Sequence, residues 1–525
     1  MISVQLKFIN LKNILIIISL AILMISQNLS AQGTVLSDPV DIGSRLELFV
    51  DNYLIKDLSG KAKLRLHHPE PKEIVITFDA PWEGAGSGYV SIFQDGDAYK
   101  MYYKAWQHPV GKFPEHDIVC GYAESIDGIH WQKPNLGLYE FNGSKNNNIV
   151  FIRGIMNGVY ADGGHPAVFK DENPNLEPDA RYKAILRAVK PTGLFAFKSP
   201  DGFNWKVMSP DPIITDGAFD SQNLAFWDSE NKEYRAYWRY FDKETEESRY
   251  QGTRGIRTAV SKDMVIWDEQ NDLKYVDSPN EELYTNQIKP YYRAPHLLIG
   301  FPTRYIDRGW SESMRSLPEL EEREYRASIH EKSSQRYGTA VTESLIMVSR
   351  DGVNFKRWNE AFLRPGIERK GTWNYGQQYL AWSIVETKSD IQGAPNELSL
   401  YAIENYWTGT SCDLRRYTLR IDGFVSVNAP MSGGELITKT LTFTGNNLIL
   451  NFSSSAAGSI QVEIQDENGN PISGFSLDDC DPLFGDTLER AVTWKGINDL
   501  SSLEGKPIRL RFVLRDADLF SLRFR

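Results

Sequence analysis

The chain has 525 residues, a formal net charge of −11 and an aromatic content of 12%. This acidic balance disfavours binding to nucleic acid and to anionic membranes, which are themselves negatively charged. The cysteines Cys120, Cys412 and Cys480 are too few and too widely spaced for a disulfide framework or a zinc site. We expect three buried thiols, with a Cys120–Cys412 bridge only if their strands are neighbours.

The first 31 residues have the pattern of a signal peptide. Lys7 and Lys12 precede an apolar run over residues 14–25, and Ser30-Ala31-Gln32 offers a small-residue cleavage point. The apolar run is too short to span a bilayer. We therefore predict an exported protein, periplasmic or extracellular, with no membrane insertion.

After this segment, alternating strands with turn residues between them indicate an all-β chain. LELFVDNYLIKDL from Leu46 is predicted to supply an outer strand to the last repeat unit. Five strand-turn-strand hairpins follow, and they begin at Gly88, His165, Gln222, Asn286 and Gln377.

A short phrase follows each hairpin and marks the repeat. Its copies are ESIDGIHW from Glu124, KSPDGFNW from Lys198, VSKDMVIW from Val260, VSRDGVNF from Val348 and the worn RIDGFV from Arg420. The pattern predicts a strand that ends at Ser, a tight turn at Asp-Gly, and an aromatic side chain that packs back under the turn. The repeated aspartates Asp127, Asp201, Asp263 and Asp351 are thus expected to cap turns.

Five such units predict a five-bladed β-propeller over residues 40–428, because radial repetition leaves only short sheet edges. A break near Pro430 precedes more alternating strands, which predict a β-sandwich over 432–525. This sandwich could buttress the propeller or bind carbohydrate. The charged segment from Arg308 to Tyr337 looks helical, either as a surface helix or as a lid over the channel.

The polar residues just before each inner strand should meet at one end of the central channel. The candidates, from blade one to blade five, are Glu83; Asp162 and His165; Asp216, Asp220 and Asn223; Glu281, Glu282 and Asn286; and Trp373, Asn374 and Gln377. Carboxylates, amides and an aromatic face in this combination suit a sugar.

At these residues the chain resembles a known group. Phrases such as YAESIDGIHWQKPNLGL and SPDGFNW, with acidic strand heads and a trailing sandwich, are similar to the five-bladed glycosidases of glycoside hydrolase families 32 and 43. The likeness is greatest, from Leu46 to Arg525, to secreted proteins of planctomycetes and Bacteroidetes whose N-terminal domain is family 32-like. The WMNDPNG, RDP and EC motifs of the characterised enzymes are absent.

The resemblance implies a catalytic carboxylate in each of three blades. By position these would be Glu83, Asp162 and Asp220, with Glu343 and Glu404 as alternative acids. A glycosidase needs one carboxyl protonated and another ionised, which a crowded acidic site can provide.

The remaining polar residues are predicted to bind substrate: His165, Asn223, Arg239, Asn286, Arg304, Trp373, Asn374 and Gln377. The arginines Arg239 and Arg304 would suit an acidic sugar, because a guanidinium group can bind a carboxylate or sulfate through two bonds.

The predicted function is therefore an exported glycosidase that removes a terminal sugar from plant or algal polysaccharide fragments. A glycan-binding propeller without activity is one alternative, and a sialidase-like or phosphorylase-like enzyme is another. The predicted partner is an oligosaccharide or polysaccharide, and neither a metal nor a cofactor is predicted.

Overall fold

The computed structural model describes residues 38–107, 116–245, 250–318 and 337–525, and most of its regular structure is β-strand. The predicted signal peptide and most of the 308–337 segment lie outside these ranges. The start of that segment forms one short helix, α1 (Glu312–Ser316), which Ser311 caps by accepting the N–H of Met314. No helix in the described ranges is long and apolar enough to cross a membrane.

Five strands precede the first blade, and they separate into two groups. They are β1 (Val40–Gly43), β2 (Glu47–Leu48), β3 (Ile55–Gly60), β4 (Lys63–Leu66) and β5 (Glu70–Phe78). The first four pair with strands near the C-terminus, whereas β5 is the outermost strand of the last blade.

Blades one to three follow in chain order. Blade one is β6 (Gly88–Asp95), β7 (Ala98–Ala105), β8 (Val119–Ser125) and β9 (Ile149–Ile152). Blade two has a small hairpin, β10 (Gly154–Met156) and β11 (Val159–Ala161), then β12 (Ala167–Lys170), β13 (Tyr182–Lys190), β14 (Thr192–Ser199) and β15 (Lys206–Val207). Blade three is β16 (Leu224–Asp228), β17 (Glu233–Phe241), β18 (Arg254–Ser261) and β19 (Asp268–Asp272).

Blades four and five complete the ring. Blade four contains β20 (Lys274–Val276), β21 (Lys289–Tyr291), β22 (Ala294–Gly300), β25 (Met347–Ser349) and β26 (Asn354–Arg357), with the extending hairpin β23 (Thr303–Asp307) and β24 (Ala340–Ser344). Blade five is β27 (Val385–Thr387), β28 (Glu397–Glu404), β29 (Cys412–Arg420) and β5.

The ring closes because β5 pairs antiparallel with β29, so that one blade combines residues from before and after the other four. The prediction that the Leu46 segment supplies this strand is wrong. Glu47 and Leu48 pair instead with the last strand of the chain, and Ile55–Gly60 pairs with Gly434–Thr438. The alternating pattern of the segment fits either sheet, and only the tertiary pairing distinguishes them.

Glutamines from two blades join all five blades at the channel axis. The Gln222 side-chain amide, from blade three, donates to Ser91 Oγ in blade one at 3.0 Å and to the Pro166 carbonyl before blade two at 2.9 Å. Gln287, from blade four, donates to Gln222 Oε1 and to the Leu380 carbonyl in blade five, both at 2.8 Å. This glutamine layer divides the channel into two ends and confirms the five-bladed arrangement.

The repeated phrase forms the predicted turns. Asp127 Oδ1 accepts the N–H groups of Ile129 and His130 at 2.8 Å, and the other three repeated aspartates make the equivalent bonds. The indoles of Trp131 and Trp205 donate back to the turn glycine carbonyls at 3.0 and 2.9 Å. The turn-capping role of the aspartates is confirmed.

The chain ends in a second sheet with its own core. Besides β2, β3 and β4, this sheet contains β30 (Val425–Ala429), β31 (Gly434–Thr438), β33 (Leu448–Gln465), β34 (Asp486–Ala491) and β35 (Arg509–Phe524). The short strand β32 (Leu441–Phe443) pairs with β1 in a separate two-stranded sheet. Bulges in the pairing of the two longest strands, near Ser454 and Ser459, let them bend around a core that includes Phe452, Trp494 and Phe512. The all-β class, a five-bladed propeller with a C-terminal sandwich, is confirmed.

The predicted boundary between propeller and sandwich, at residues 428–432, stays a prediction. Residues 40–66, which the prediction assigns to the propeller, pair with strands of the C-terminal region. The fifth copy of the phrase lies at this junction. Its Asp422 is fully buried and accepts hydrogen bonds from Tyr291 and Arg293 in blade four and from Asn451 in β33. The three cysteines are free and buried.

Candidate active site

The inner strands β6, β12, β16, β21 and β27 all start on the same side of the glutamine layer. We call this side the head end of the channel and the opposite side the far end. Titratable and aromatic side chains gather at the head end, so we place the candidate chemistry there.

A group of tyrosines fills the head end. This tyrosine cluster consists of Tyr89, Tyr284, Tyr375, Tyr379 and Tyr406, each at most 5% exposed. The ring centroids of Tyr284 and Tyr379 are 5.4 Å apart, and those of Tyr89 and Tyr379 are 6.0 Å apart. Sequence reasoning missed this cluster, although Tyr89 is the second residue of inner strand β6 and Tyr284 precedes β21, where side chains were expected to converge.

Tyr284 lies at the centre of the charged groups. The guanidinium carbons of Arg239 and Arg254 lie 4.8 and 5.1 Å from its ring centroid, and its hydroxyl accepts a 2.7 Å hydrogen bond from Tyr375. Burial by itself would raise the pKa of Tyr284, but the two positive charges outweigh burial and lower this pKa. The phenol is therefore a stronger acid than an ordinary tyrosine.

Each of these arginines binds a carboxylate that is partly exposed. Arg239 pairs with Asp220, whose side chain is 35% exposed, and Arg254 pairs with Glu282, whose side chain is 22% exposed. The arginines themselves are buried. The structure thus holds two partly exposed carboxylates against two buried arginine side chains. Asp220 was a predicted catalytic residue, and Glu282 was a candidate from the head of blade four.

Asp162 and His165 form a buried pair at the same end. His165 Nδ1 lies 2.8 Å from Asp162 Oδ2, and the Gly164 N–H donates to Asp162 Oδ1 at 2.9 Å. Burial would raise the pKa of Asp162, but His165, Arg187 and this N–H together lower it. The His165 ring lies 5.0 Å from that of Tyr89, which links the pair to the tyrosine cluster.

A buried lysine adds a further titratable group. Lys104 Nζ donates to the Tyr406 hydroxyl at 2.9 Å and lies 4.9 Å from the Tyr89 ring centroid. Burial lowers the pKa of Lys104 to about 7, with the charge of Asp162 opposing the shift. An amine with this pKa can donate or accept a proton near neutral pH.

Glu83 is placed differently from the other two predicted catalytic carboxylates. Its side chain is 0% exposed and accepts from Lys133 Nζ at 2.6 Å, from the Tyr103 hydroxyl at 2.6 Å and from the Ala80 N–H at 2.9 Å. These donors occupy both oxygens, so the geometry favours a structural role within blade one. A catalytic role for Glu83 remains a prediction without geometric support.

The predicted substrate-binding amides bind the protein itself. Asn223 donates to the Phe219 and Ser221 carbonyls, Asn286 Oδ1 accepts the Ile288 N–H at 3.3 Å, and Gln377 Oε1 accepts the Asn405 N–H at 3.2 Å. All three are buried. They fix the loops that present the tyrosine cluster, and direct contact with a ligand remains a prediction.

Two further predicted residues lie on the blade-five loop. The indole of Trp373 donates to the Gly366 carbonyl at 3.0 Å, and its ring packs on the small apolar group formed with Met314 of α1. The backbone carbonyl of Asn374 accepts from Thr342. Neither position excludes ligand contact, and binding by both remains a prediction.

Arg304 is already neutralised. It donates to Glu343 and Glu281, and also to the Asn359 carbonyl at 3.0 Å. The alternative acid Glu404 is likewise held, by Arg369 and Arg415, and their charges lower its pKa although burial would raise it. Arg239 and Arg304, the two arginines of the acidic-sugar prediction, are therefore both paired with carboxylates of the protein.

Asp216 lies away from the cluster. Its carboxylate accepts from Arg257 at 2.8 Å and from Gln270 at 2.7 Å, on the outer strands of blade three. The structure therefore brings together Asp162, His165, Asp220 and Arg239 through the tyrosine cluster, and it leaves Glu83 and Arg304 in separate networks. The described residues contain no group of three or more His, Cys, Asp or Glu side chains arranged to hold a metal ion.

Comparison with known proteins gives structural matches alone. No family model matches the sequence, and no curated protein matches it. The chain is similar to a glycoside hydrolase family 43 arabinoxylan arabinofuranohydrolase from Bacillus subtilis, solved with cellotetraose, with 12% identity and a TM-score of 0.39 over 85% of this chain and 97% of that one.

Two other solved structures align in the same way. A fructofuranosidase from Schwanniomyces occidentalis, complexed with fructosylnystose, has 12% identity and a TM-score of 0.37 over 86% of this chain and 97% of its own. An N-acetylgalactosamine deacetylase from F. plautii, complexed with blood group B trisaccharide, has 11% identity and a TM-score of 0.37 over 68% of this chain and 96% of its own. At these identities and TM-scores, the chemistry has to be argued from the residues of this chain.

Proposed function

We propose that this protein is a glycoside hydrolase whose reaction takes place at the head end of the channel, on the partly exposed carboxylates Asp220 and Glu282. The observation that carries this proposal is that Arg239 and Arg254 lie against the ring of Tyr284 and each binds one of these carboxylates. Two carboxylates from neighbouring blades are thereby held near one acidic phenol.

The division of roles follows from charge. Asp220 and Glu282 are partly exposed and held in place by arginines, so they suit the nucleophile or base and the stabilisation of positive charge on the sugar. A glycosidase also requires a proton donor for the leaving oxygen. Tyr284, whose pKa the arginines lower, supplies that proton in our proposal.

The closed channel supports action at a chain end. The glutamine layer blocks the channel beneath the tyrosine cluster, so a sugar that enters from the head end cannot pass through. The rings of the cluster offer flat faces for a sugar. We therefore propose that the substrate is the terminal sugar of a plant or algal oligosaccharide. We also propose that the protein is exported.

The test is hydrolysis of aryl glycosides and end-labelled oligosaccharides by single variants. Asp220→Asn and Glu282→Gln should each lower turnover at least about a hundredfold, the range of acid–base contributions, and the double variant should be little worse. Both replacements keep an oxygen that can accept from the arginine, so the fold should survive. Asp216→Asn is the matched control, since Asp216 also pairs with an arginine in blade three but outside the cluster.

Full activity in both single variants would reject these residues, and the next candidates would be the other predicted carboxylates, Asp162, Glu83, Glu343 and Glu404. A wild-type protein that binds oligosaccharides by calorimetry but hydrolyses none would favour the glycan-binding alternative. Loss of activity in Asp216→Asn equal to that in Asp220→Asn would point to a general loss of structure.

A further inference from the structure

A cavity of about 950 Å³ opens at the far end of the channel. It is lined by residues that follow the head segments in every blade, among them Phe93, Phe169, Phe226, Lys289 and Val385. The glutamine layer separates this cavity from the tyrosine cluster, so the two are different sites. Small-molecule sites in proteins commonly have volumes of roughly 300–1,000 Å³.

Gln287 forms the floor of the cavity and has an unused acceptor. It is 2% exposed, and its Nε2 makes both of its side-chain hydrogen bonds, to Gln222 Oε1 and the Leu380 carbonyl. A carbonyl can only accept, so the bond to Leu380 fixes which end of the amide is nitrogen. Its Oε1 is buried and has no donor among the described residues, a costly condition that a ligand hydroxyl would relieve.

The backbone of Gln287 is unusual as well. Its φ of 47° lies in the left-handed region, which a residue with a side chain rarely adopts. Such strain persists only where the surroundings impose it, and it is common at ligand sites. The conformation holds the amide between the glutamine layer and the cavity.

Lys289, two residues further along the chain, brings a positive charge to the same cavity. Its Nζ lies 5.7 Å from the centroid of the Trp382 ring, and no carboxylate of the described residues lies within ion-pair distance of it. Burial lowers the pKa of Lys289, and the more distant charge of Glu172 opposes that shift. By contrast, Lys170 lines the same cavity and pairs with Asp95 at 3.0 Å.

We propose that the far-end cavity binds a small anionic sugar of the uronic acid class, with its carboxylate on Lys289 and a hydroxyl on Gln287 Oε1. The half-buried Trp227 and the exposed Tyr292 also line the cavity and offer aromatic surface of the kind that a sugar ring favours. Sulfate would satisfy Lys289 but has no hydroxyl for Gln287, and it would leave most of the volume unfilled.

The test is calorimetric titration of the full chain with glucuronate, galacturonate, glucose and sodium sulfate. A uronate should bind, and Lys289→Met should weaken its binding at least tenfold, whereas Lys289→Arg, which keeps the charge, should retain most of it. Lys170→Met is the matched control and should change the affinity less than twofold. Asp220→Asn should also leave it unchanged, because Asp220 lies at the head end.

Four outcomes would overturn the proposal. They are the absence of uronate binding, glucose binding as tight as that of the uronates, binding of sulfate without uronate, and uronate binding that Asp220→Asn abolishes and Lys289→Met does not. Melting temperatures of each variant show whether lost binding is local. Hydrolysis by Lys289→Met should equal that of the wild type, so failure of this proposal and failure of the proposed function are distinguishable.

Discussion

Each end of the channel contains a lysine among aromatic rings, but the two lysines have different partners. At the head end, Lys104 donates to Tyr406 and lies near the ionised Asp162. At the far end, Lys289 lies over Trp382 and no described carboxylate is within ion-pair distance. The head end also holds Asp220 and Glu282 in ion pairs with arginines, whereas at the far end Gln287 Oε1 has no donor among the described residues.

This difference shows what each end can do. Charge pairs at the head end hold carboxylates in fixed positions at little electrostatic cost, which suits a reacting site. At the far end, the polar groups without partners are stabilised only when a complementary ligand binds them, which suits a binding site. The glutamine layer keeps the two environments separate.

Both ends depend on the same ring, so the largest effect should come from a blade turn. Trp205→Ala removes a buried side chain that also stacks on Phe151, and it should destabilise the protein by about 3–5 kcal/mol. Urea unfolding followed by intrinsic fluorescence measures this loss. Phe484→Ala, at a side chain that is 63% exposed, is the control and should change stability by less than about 0.5 kcal/mol.

Activity and uronate binding should remain in whatever fraction of Trp205→Ala stays folded, because Trp205 belongs to the outer part of blade two. Loss of either property at an unaltered melting temperature would contradict the structural role of this tryptophan.

The next effect concerns the layer between the ends. Gln222→Leu leaves the Pro166 carbonyl, Ser91 and one N–H of Gln287 without their partner, which should cost roughly 2–4 kcal/mol. Thermal unfolding of this variant beside Gln94→Leu provides the measurement. Gln94 lies on β6, the inner strand that contains Ser91, but its exposed side chain donates to the nearby Gly96 carbonyl, so its replacement should be nearly neutral. Equal stability of the two variants would show that the layer does not hold the blades together.

The smallest effect is a pH dependence at the head end. Lys104 has a pKa of about 7 in the folded protein and about 10.4 when unfolded. Between these values the unfolded chain binds more protons, so this lysine makes the free energy of unfolding rise with pH. The slope is at most about 1.4 kcal/mol per pH unit for one proton.

Lys104→Met should lack that contribution. Urea unfolding of both proteins at pH 7.5, 8.5 and 9.5 gives the difference in slope, in which all other groups cancel. Parallel stability curves over this range would show that Lys104 keeps an ordinary pKa, and the contrast between the two ends would then be one of geometry alone.

The sequence predicts the repeated turns correctly because their bonds are local. Asp127 caps the N–H groups two and three residues ahead, and Trp131 returns to a carbonyl three residues back, so a short phrase contains both partners. The same phrase fails at Asp422, where the partners are Tyr291, Arg293 and Asn451 from distant parts of the chain.

The candidate site is only partly predictable for the same reason. Placing polar residues at the heads of inner strands predicts that Asp162, His165 and Asp220 share one end, and contacts with the tyrosine cluster link them there. The position of Glu83 before the first blade does not predict that Lys133 and Tyr103 donate hydrogen bonds to its carboxylate. The spacing of residues along the chain also does not predict that Arg239 and Arg254 both pack against the ring of Tyr284.

The sequence by itself determined the β-class, the number of blades, the turns and the end of the channel at which polar residues collect, because these depend on periodicity and on contacts within a few residues. Tertiary structure decided which strand closes the ring, which carboxylates stay accessible, and that Lys104 donates to Tyr406 whereas Lys289 lies over Trp382. Burial and charge pairing depend on side chains that lie from 19 residues apart, as in Asp220 and Arg239, to 302 residues apart, as in Lys104 and Tyr406, and no local pattern records them.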